Sequence, residues 1–216
     1  TDSGKTAVTN NFAVNHGPLH HFQINLTSPQ NNDQTWTGSN SLVAQDQWNN
    51  ILNDYNVIGT AVTLTVASGT IANAVINPAD FSNGSADLTA KNVKYTGPKG
   101  SVVLIATSAT TNKTGSGNVT INPGSVNSVT IRNAANNGGS AQGSHDLQVG
   151  QNLVLYAAAY DVSENYIADI NGTWARTGTL DVPTGGLVNA INYQPMTAYT
   201  NGTLTFDDGQ GHTDST

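Results

Sequence analysis

The chain has 216 residues, among them 28 Asn, 28 Thr and 16 Ser, with no Cys, seven Lys or Arg, fourteen Asp or Glu and a formal net charge of −7. This length is enough for one large domain or for two of ordinary size. The composition excludes disulfides, Cys–Zn sites and thiol nucleophiles, the scarcity of basic residues argues against nucleic-acid binding, and no apolar run reaches the roughly 18 to 20 residues that a membrane-inserted helix needs.

Short β-prone segments recur along the chain, separated by turn residues. Asn, Asp, Gly and Thr are poor helix formers, and the one helix-like stretch, residues 46–57, is interrupted by pairs of Asn and Asp. Strands are predicted, in chain order, at residues 22–26, 61–66, 102–106, 119–121, 129–131, 153–159 and 204–206. Residues 152–160 are apolar at both parities, which is typical of a strand buried on both faces. The pattern predicts an all-β fold built from antiparallel sandwiches.

The sequence repeats with a period of about 107 residues. Residues 118–126 match residues 11–19 at an offset of 107. A second match, at an offset of 115, aligns residues 42–46 with residues 157–161, and each of these segments ends in Asp and is followed four residues later by Asn. Because one sandwich domain has about 100 residues, we expect two tandem sandwich domains, at residues 17–123 and 124–216.

Residues 1–16 are predicted to form a strand equivalent to the last strand of a preceding domain. The offset of 107 aligns the segment Phe12, Ala13, Val14 and Asn15 with residues 119–122, whereas the second domain has no matching final strand. Three explanations stay open. The chain is one unit of a longer tandem array, or its N-terminal strand completes the second domain of a neighbouring copy and links subunits head to tail, or the segment is a flexible extension.

The joins before the two domains are short, which predicts a stiff arrangement. They consist of His16, Gly17 and Pro18, and of Pro123 and Gly124. Together with residues 12–15 and the turn at residues 44–50, the first join resembles bacterial Ig-like, invasin-like repeats, which occur in tandem in large secreted and cell-surface proteins such as adhesins and surface-layer proteins. This resemblance implies Ig-like sandwich domains and a structural or adhesive role. An extracellular or cell-surface location also fits the lack of Cys and the single Met, since both residue types are sensitive to oxidation.

Calcium is the only cofactor that the sequence suggests. Oxygen-rich turns suit this hard cation, although no EF-hand spacing is present, and the candidate ligands are Asp161, Glu164, Asn165, Asp207 and Asp208. A different explanation applies to Asp161 and to Asp46, which is its counterpart in the repeat. Each carboxylate would accept backbone N–H bonds and cap its own turn.

The remaining polar motifs do not predict a catalytic site. Glu164 is the only Glu of the chain, and no pair of acids suggests a glycosidase. No Gly-x-Ser-x-Gly elbow is present. His16, His20 and His21 are better explained by packing near the first join than by a metal, because His20 and His21 are expected on opposite sides of an extended segment and no acid lies close in sequence. We therefore predict that the chain is not an enzyme.

Aromatic residues and Asn sequons supply two further sets of candidates. Exposed rings stack on sugars, and the candidates are Trp36, Trp48 and Tyr166, although core packing is the alternative for such residues. Six Asn-x-Ser/Thr sequons mark acceptors for N-glycosylation, about as many as chance gives in so polar a chain: Asn25, Asn83, Asn112, Asn118, Asn171 and Asn201.

These observations favour a structural, non-enzymatic repeat module of an extracellular fibre, adhesin or surface layer. Its partners would be copies of itself or adjacent repeats in a head-to-tail filament, with no nucleic acid and no membrane insertion. The alternative function is a carbohydrate-binding or adhesive module that uses exposed aromatic residues on surface glycans.

Overall fold

The computed structural model describes residues 13–183 and 187–216. It is 42% strand and 4% helix, which confirms the predicted all-β class. The helical residues form single turns, α1 (Tyr55–Ile58) and a 3-10 turn at Pro78–Asp80. Within the described ranges, no helix is both long enough and apolar enough to cross a bilayer. We refer to residues 17–123 as the first half of the chain and to residues 124–216 as the second half.

The first half contains two main sheets. Its strands are β1 (His21–Asn25), β2 (Gln30–Asn31), β3 (Ser41–Gln45), β4 (Val62–Thr65), β5 (Thr70–Ala72), β6 (Val75–Ile76), β7 (Phe81–Ser82), β8 (Ser85–Asp87), β9 (Lys94–Thr96), β10 (Gly100–Ser108) and β11 (Thr114–Asn122). The sheet orders are β1-β3-β8-β7 and β2-β11-β10-β4-β6, and β5 pairs with β9. The pairs are antiparallel except that of β2 with β11.

Side chains from both sheets of the first half meet in one core. Phe22 and Leu42 from one sheet, and Leu64, Leu104 and Val119 from the other, are almost fully buried there. The two sheets therefore pack face to face, as in a β-sandwich.

The second half has a separate core between two sheets. Its strands are β12 (Ser128–Arg132), β13 (Leu153–Tyr160), β14 (Tyr166–Asp169), β15 (Gly172–Arg176), β16 (Leu187–Val188), β17 (Ala190–Tyr193), β18 (Leu204–Asp207) and β19 (Thr213–Ser215). β13 pairs with β12, β14 and β17, and the other sheet has the order β16-β15-β18-β19. Ile131, Leu155, Trp174 and Phe206 are buried between the sheets. Each half thus has its own core, within the bounds predicted for the two domains.

The sequence repeat is also a repeat of strand register. Phe22 pairs with Ala44 across β1 and β3, and Val129 pairs with Ala159 across β12 and β13. These pairs correspond at the offsets of 107 and 115 found in the sequence. The segments predicted as strands all coincide with observed strands. In β13, three successive Ala residues, 157–159, are fully buried, so the predicted burial on both faces holds for this part of the strand, whereas Val154 is 40% exposed.

The remaining sheets of the two halves correspond as well. β4 lies between β6 and β10, and β15 lies between β16 and β18. When β4 is aligned with β15 through these pairs, Phe206 in β18 occupies the position that Ala106 has in β10. At this offset of 100, residues 200–204 take the place of residues 100–104.

The last strands of the two halves differ in length. β11 is nine residues long and pairs with β10 over eight of them, whereas β19 pairs with β18 over three. Among the residues of the expected donor strand, Phe12 lies outside the described residues, whereas Ala13, Val14 and Asn15 are exposed and belong to no strand. Completion of the second half by a further strand stays a prediction.

Candidate functional site: a repeated Asp turn and an open groove

An Asp turn follows β3 in the first half. Oδ1 of Asp46 accepts the N–H groups of Trp48 and Asn50, each at 2.9 Å. Its Oδ2 accepts the side-chain amide of Asn50 at 3.0 Å and the N–H of Gly17 at 2.8 Å. One carboxylate therefore shapes the turn and also fixes the chain where it enters the first half.

The turn after β13 repeats these contacts bond for bond. Oδ1 of Asp161 accepts the N–H groups of Ser163 and Asn165 at 2.9 and 3.0 Å. Its Oδ2 accepts the side-chain amide of Asn165 and the N–H of Gly124, each at 2.9 Å. The predicted capping role of the two Asp residues is confirmed, and the link to the joining Gly is a contact that the sequence did not predict.

Both carboxylates are buried and ionised. Asp46 and Asp161 each have only 1% of their surface exposed. Desolvation raises the pKa of each group, but the hydrogen bonds from the Asn side chains and backbone N–H groups outweigh it and lower both pKa values below the ordinary range. At neutral pH each turn is therefore organised around a buried negative charge that is held by neutral donors.

The second turn also contacts the first half, through Asn32. The side-chain amide of Asn32 donates to Oδ2 of Asp161 at 2.9 Å and to Oγ of Ser163 at 3.0 Å. Oδ1 of Asn32 accepts the N–H of Gly97 at 2.8 Å. Asn32 is fully buried, so it ties a loop of its own half to the Asp161 turn without exposed polar atoms.

Asn165 and Tyr166 extend this contact. The side-chain amide of Asn165 donates to the carbonyl of Gly97 at 3.0 Å, and its Oδ1 accepts the N–H of Lys99 at 2.8 Å. Nζ of Lys99 donates to the carbonyl of Tyr166 at 2.7 Å and lies 5.7 Å from the centre of its ring. Together with the Asn32 bonds, these interactions make a polar joint between the two halves.

Gly124 is required by the closeness of this joint. A Cβ atom at Gly124 would lie 2.3 Å from the carbonyl oxygen of Asn32. At Gly17, in contrast, a Cβ atom would meet nothing closer than 3.4 Å. The Asp46 turn is correspondingly open, since Trp48 is 67% exposed and Asn50 is exposed, while its counterpart Asn165 is buried.

An open groove of about 450 Å³ lies in the second half. Its lining includes residues 143–147, from the connection between β12 and β13, and residues 200–204, with Thr216 also present. In the first half, β11 fills the corresponding space, because it pairs with β10 on one side and with β2, from the connection between β1 and β3, on the other. The groove therefore lies where the second part of a longer last strand would pack.

Calcium binding stays a prediction, and four of the candidate ligands accept hydrogen bonds in the structure: Asp161, Asn165, Asp207 and Asp208. The five candidates lie in two separate turns, which contain Asp161, Glu164 and Asn165, and Asp207 and Asp208. The carboxylate of Asp161 already accepts five N–H bonds, and that of Asp208 accepts bonds from Gln210 and His212. Glu164 has a left-handed backbone and is exposed. In the described part of the chain, no group of three or more His or acidic residues could hold a metal ion.

The three aromatic candidates for glycan stacking lie in different environments. Trp36 is 2% exposed and belongs to the first core, so it has no free face for a sugar. Tyr166 is partly buried at the joint, next to Lys99. Of these candidates, Trp48 has a broadly exposed ring. The structure therefore does not bring the three residues together in one stacking surface.

All six Asn residues of the sequons are exposed. They are Asn25, Asn83, Asn112, Asn118, Asn171 and Asn201. Their accessibility is compatible with glycosylation, which stays a prediction.

The His residues near the first join differ from the expectation. His16 contacts Oδ1 of Asp54 through Nε2 at 2.7 Å, so an acid distant in sequence is its neighbour. The carbonyl of Gly17, followed by Asp54, raises the pKa of His16. His20 and His21 do not point to opposite sides, because their Nδ1 atoms are 3.2 Å apart. Since β1 begins only at His21, the alternation of a strand does not include His20.

No protein-family model and no curated protein matches this chain. Function is therefore inferred from the geometry. Sequence reasoning missed Asn32, Gly97 and Lys99, the residues of the first half that bind the second turn. The only local signal was the turn-forming run Gly97-Pro-Lys-Gly100, which does not identify its partner.

Proposed function

We propose that this chain is a structural, non-enzymatic module of an extracellular fibre, adhesin or surface layer, composed of two tandem Ig-like sandwich domains. Copies assemble head to tail when residues 12–15 of one copy add a strand to the second domain of its neighbour. The observation that carries this proposal is the groove of the second half, which lies where β11 packs in the first half.

The donor segment has the alternation that this groove requires. Through the offset of 107, Phe12 and Val14 correspond to Val119 and Ile121, which are each 2% exposed. Val14 is itself 84% exposed in its own chain, so it is available to a partner. Burial of such side chains stabilises by about 1.5–3 kcal/mol each, and the added strand also pairs backbone groups along an open edge.

The open edge is a second reason for a strand partner. β19 pairs with β18 only from Thr205 to Asp207, and just beyond this pairing the N–H of Thr216 donates to the carbonyl of Leu204 at 3.0 Å. Residues 200–203 precede this pairing and line the groove. An extended segment that enters the groove would continue the ladder in the way that β11 continues along β10.

Matched substitutions on the two faces of the donor segment test the proposal. Val14→Asp places a charge at the position equivalent to a buried Ile, whereas Ala13→Asp places it at the position of exposed Thr120. We expect concentrated wild-type protein and the Ala13→Asp variant to form head-to-tail oligomers, seen by light scattering and electron microscopy, and the Val14→Asp variant to stay monomeric. Oligomers that form equally in both variants would contradict strand donation.

The exposed ring of Trp48 favours the alternative, a carbohydrate-binding module. A glycan array separates the two functions. Selective binding that Trp48→Ala abolishes, in a protein that does not oligomerise, would support the alternative and contradict the structural role.

A further inference from the structure

We propose that the Asp46 turn, residues 46–50, is the docking site for the second domain of another copy of this chain. In this contact it has the role that residues 161–165 have at the joint within the chain. The inference rests on the head-to-tail assembly proposed above, and it adds the surface on which two copies meet outside the donated strand.

The two turns have the same construction but different surroundings. Each carboxylate holds its own turn and the Gly of the preceding join with equivalent bonds. In the second turn Asp161 and Asn165 are buried at the contact with the first half, and Asn165 uses both the N and the O atom of its side-chain amide there. Asn50 is exposed, and the bond of its side chain goes to Asp46. The first turn thus has the structure that forms a joint in the second half, but none of the described residues of the first half occupies the place that Gly97 and Lys99 have at the second turn.

Strand donation would bring that component into place. Gly124 follows the end of β11 by two residues, and Gly17 follows Asn15 by two residues. If residues 12–15 lie in the groove of a neighbour as residues 119–122 lie in the first half, the Asp46 turn faces the end of the second domain of that neighbour. The geometry of the existing joint then defines the contact.

The corresponding surface of the second domain is the loop at residues 196–199. If the offset of 100 that aligns β18 with β10 extends back to this loop, Thr197 and Tyr199 take the places of Gly97 and Lys99, which bind the second turn. Tyr199 is fully exposed, and Met196 is 75% exposed. This loop therefore presents apolar surface without a partner in its own half.

The contact between copies is expected to be more apolar than the joint within the chain. Trp48 stands where the second turn has Ser163, and Tyr199 stands where the first half has Lys99. A covalent linker keeps the two halves of one chain at high effective concentration, so polar contacts are sufficient there. Separate copies must offset the loss of translational and rotational freedom, and Trp and Tyr are the residues that most often do so at interfaces.

Cysteine cross-linking tests this juxtaposition in the full chain, which has no Cys of its own. An Asn50→Cys variant is mixed with a Tyr199→Cys variant under mild oxidation. We expect a mixed disulfide between copies, because the equivalents of these positions at the joint within the chain, Asn165 and Lys99, are in direct contact and the bond forms only where the Cα atoms lie within about 7 Å. Val103 is an exposed residue on β10, and we expect no disulfide between copies when Val103→Cys replaces either variant. Equal cross-linking by Val103→Cys would contradict the proposed contact.

A second measurement keeps the test valid if the Cys substitutions weaken association. Trp48→Ser introduces the residue found in the second turn, and Tyr199→Ala removes the opposite ring. Each is expected to weaken self-association about tenfold or more, and the double variant by less than the product of the two factors. Val103→Ser is the control and should have no effect.

The outcomes for the two proposals can be distinguished. If Val14→Asp abolishes association while Trp48→Ser and Tyr199→Ala leave it unchanged, strand donation stands and the docking surface is refuted. If Val14→Asp leaves association unchanged, the head-to-tail assembly itself is refuted, and the docking surface with it.

Discussion

Removal of the Asp161 carboxylate should strongly destabilise the second half and separate it from the first. The side chain accepts five N–H bonds, and these come from Gly124, Ser163, Asn165 (two) and Asn32. Asn32 and Asn165 are buried, so water cannot readily replace the lost acceptor. A buried donor that loses its acceptor costs about 1–3 kcal/mol, and because Asn32 and Asn165 each lose one, we expect the free energy of unfolding to fall by about 2–6 kcal/mol in Asp161→Ala.

Asp46→Ala is the matched control, since it removes the same local bonds in the first half. Although Asp46 itself is buried, residues 47–50 of its turn are exposed, so water can replace the lost acceptor, and the turn has no bond to the described residues of the other half. The decrease in the free energy of unfolding for Asp46→Ala should therefore be clearly smaller. Urea denaturation followed by tryptophan fluorescence measures both, because Trp174 reports on the second half and Trp36 on the first. A decrease below about 1 kcal/mol for Asp161→Ala, or equal effects of the two variants, would refute the role of this carboxylate at the joint.

Three further predictions concern the joins and the pH dependence. Gly124→Ala should destabilise the protein by about 1–3 kcal/mol, because the new Cβ would lie 2.3 Å from the carbonyl oxygen of Asn32. Gly17→Ala should leave the melting temperature of the monomer unchanged. Equal shifts of the melting temperature in the two variants would contradict this expectation. Because the pKa of Asp161 is lowered on folding, the stability that this carboxylate contributes is complete above about pH 4 and is lost as the pH falls through the folded pKa. Thermal melts from pH 7 to pH 2 should show this loss of stability, and the loss should be smaller in Asp161→Ala. The pKa of His16 is raised by the carbonyl of Gly17 and by Asp54, so its stabilisation is present below about pH 6.5 and is lost as the pH rises through the folded value. An NMR titration that places this pKa at or below 6.5 would contradict these two contacts.

The strands and the Asp turns could be predicted because their signals are local. Alternating apolar residues define β1 and β12, and an Asp four residues before an Asn is enough to close a turn around a carboxylate. Partners across the joint could not be found in this way. Asn32 and Asp161 are 129 residues apart, and their contact depends on where the two separately folded halves place their loops.

The burial of single aromatic residues also could not be predicted from the sequence. Trp36 lies between Thr35 and Thr37, in a segment without a strand pattern, yet it is in the first core, where its backbone N–H donates to the carbonyl of Val93 at 2.9 Å. Trp48 has similarly polar neighbours and is exposed. Local sequence does not separate these two cases, since the difference lies in the tertiary position of each loop.

The bond-for-bond equivalence of the two Asp turns has a consequence for symmetry. If the joint at Gly17 between copies has the geometry of the joint at Gly124, each sandwich is related to the next by the same rotation and translation. The assembly is then a helix with an approximate repeat of one domain per step, although each chain contributes two domains. In the Fourier transform of filament images, the meridional reflection that corresponds to the spacing between domains should be strong. The reflection that corresponds to twice this spacing, the repeat of the whole chain, should be weak, because it arises only from the differences between the two halves.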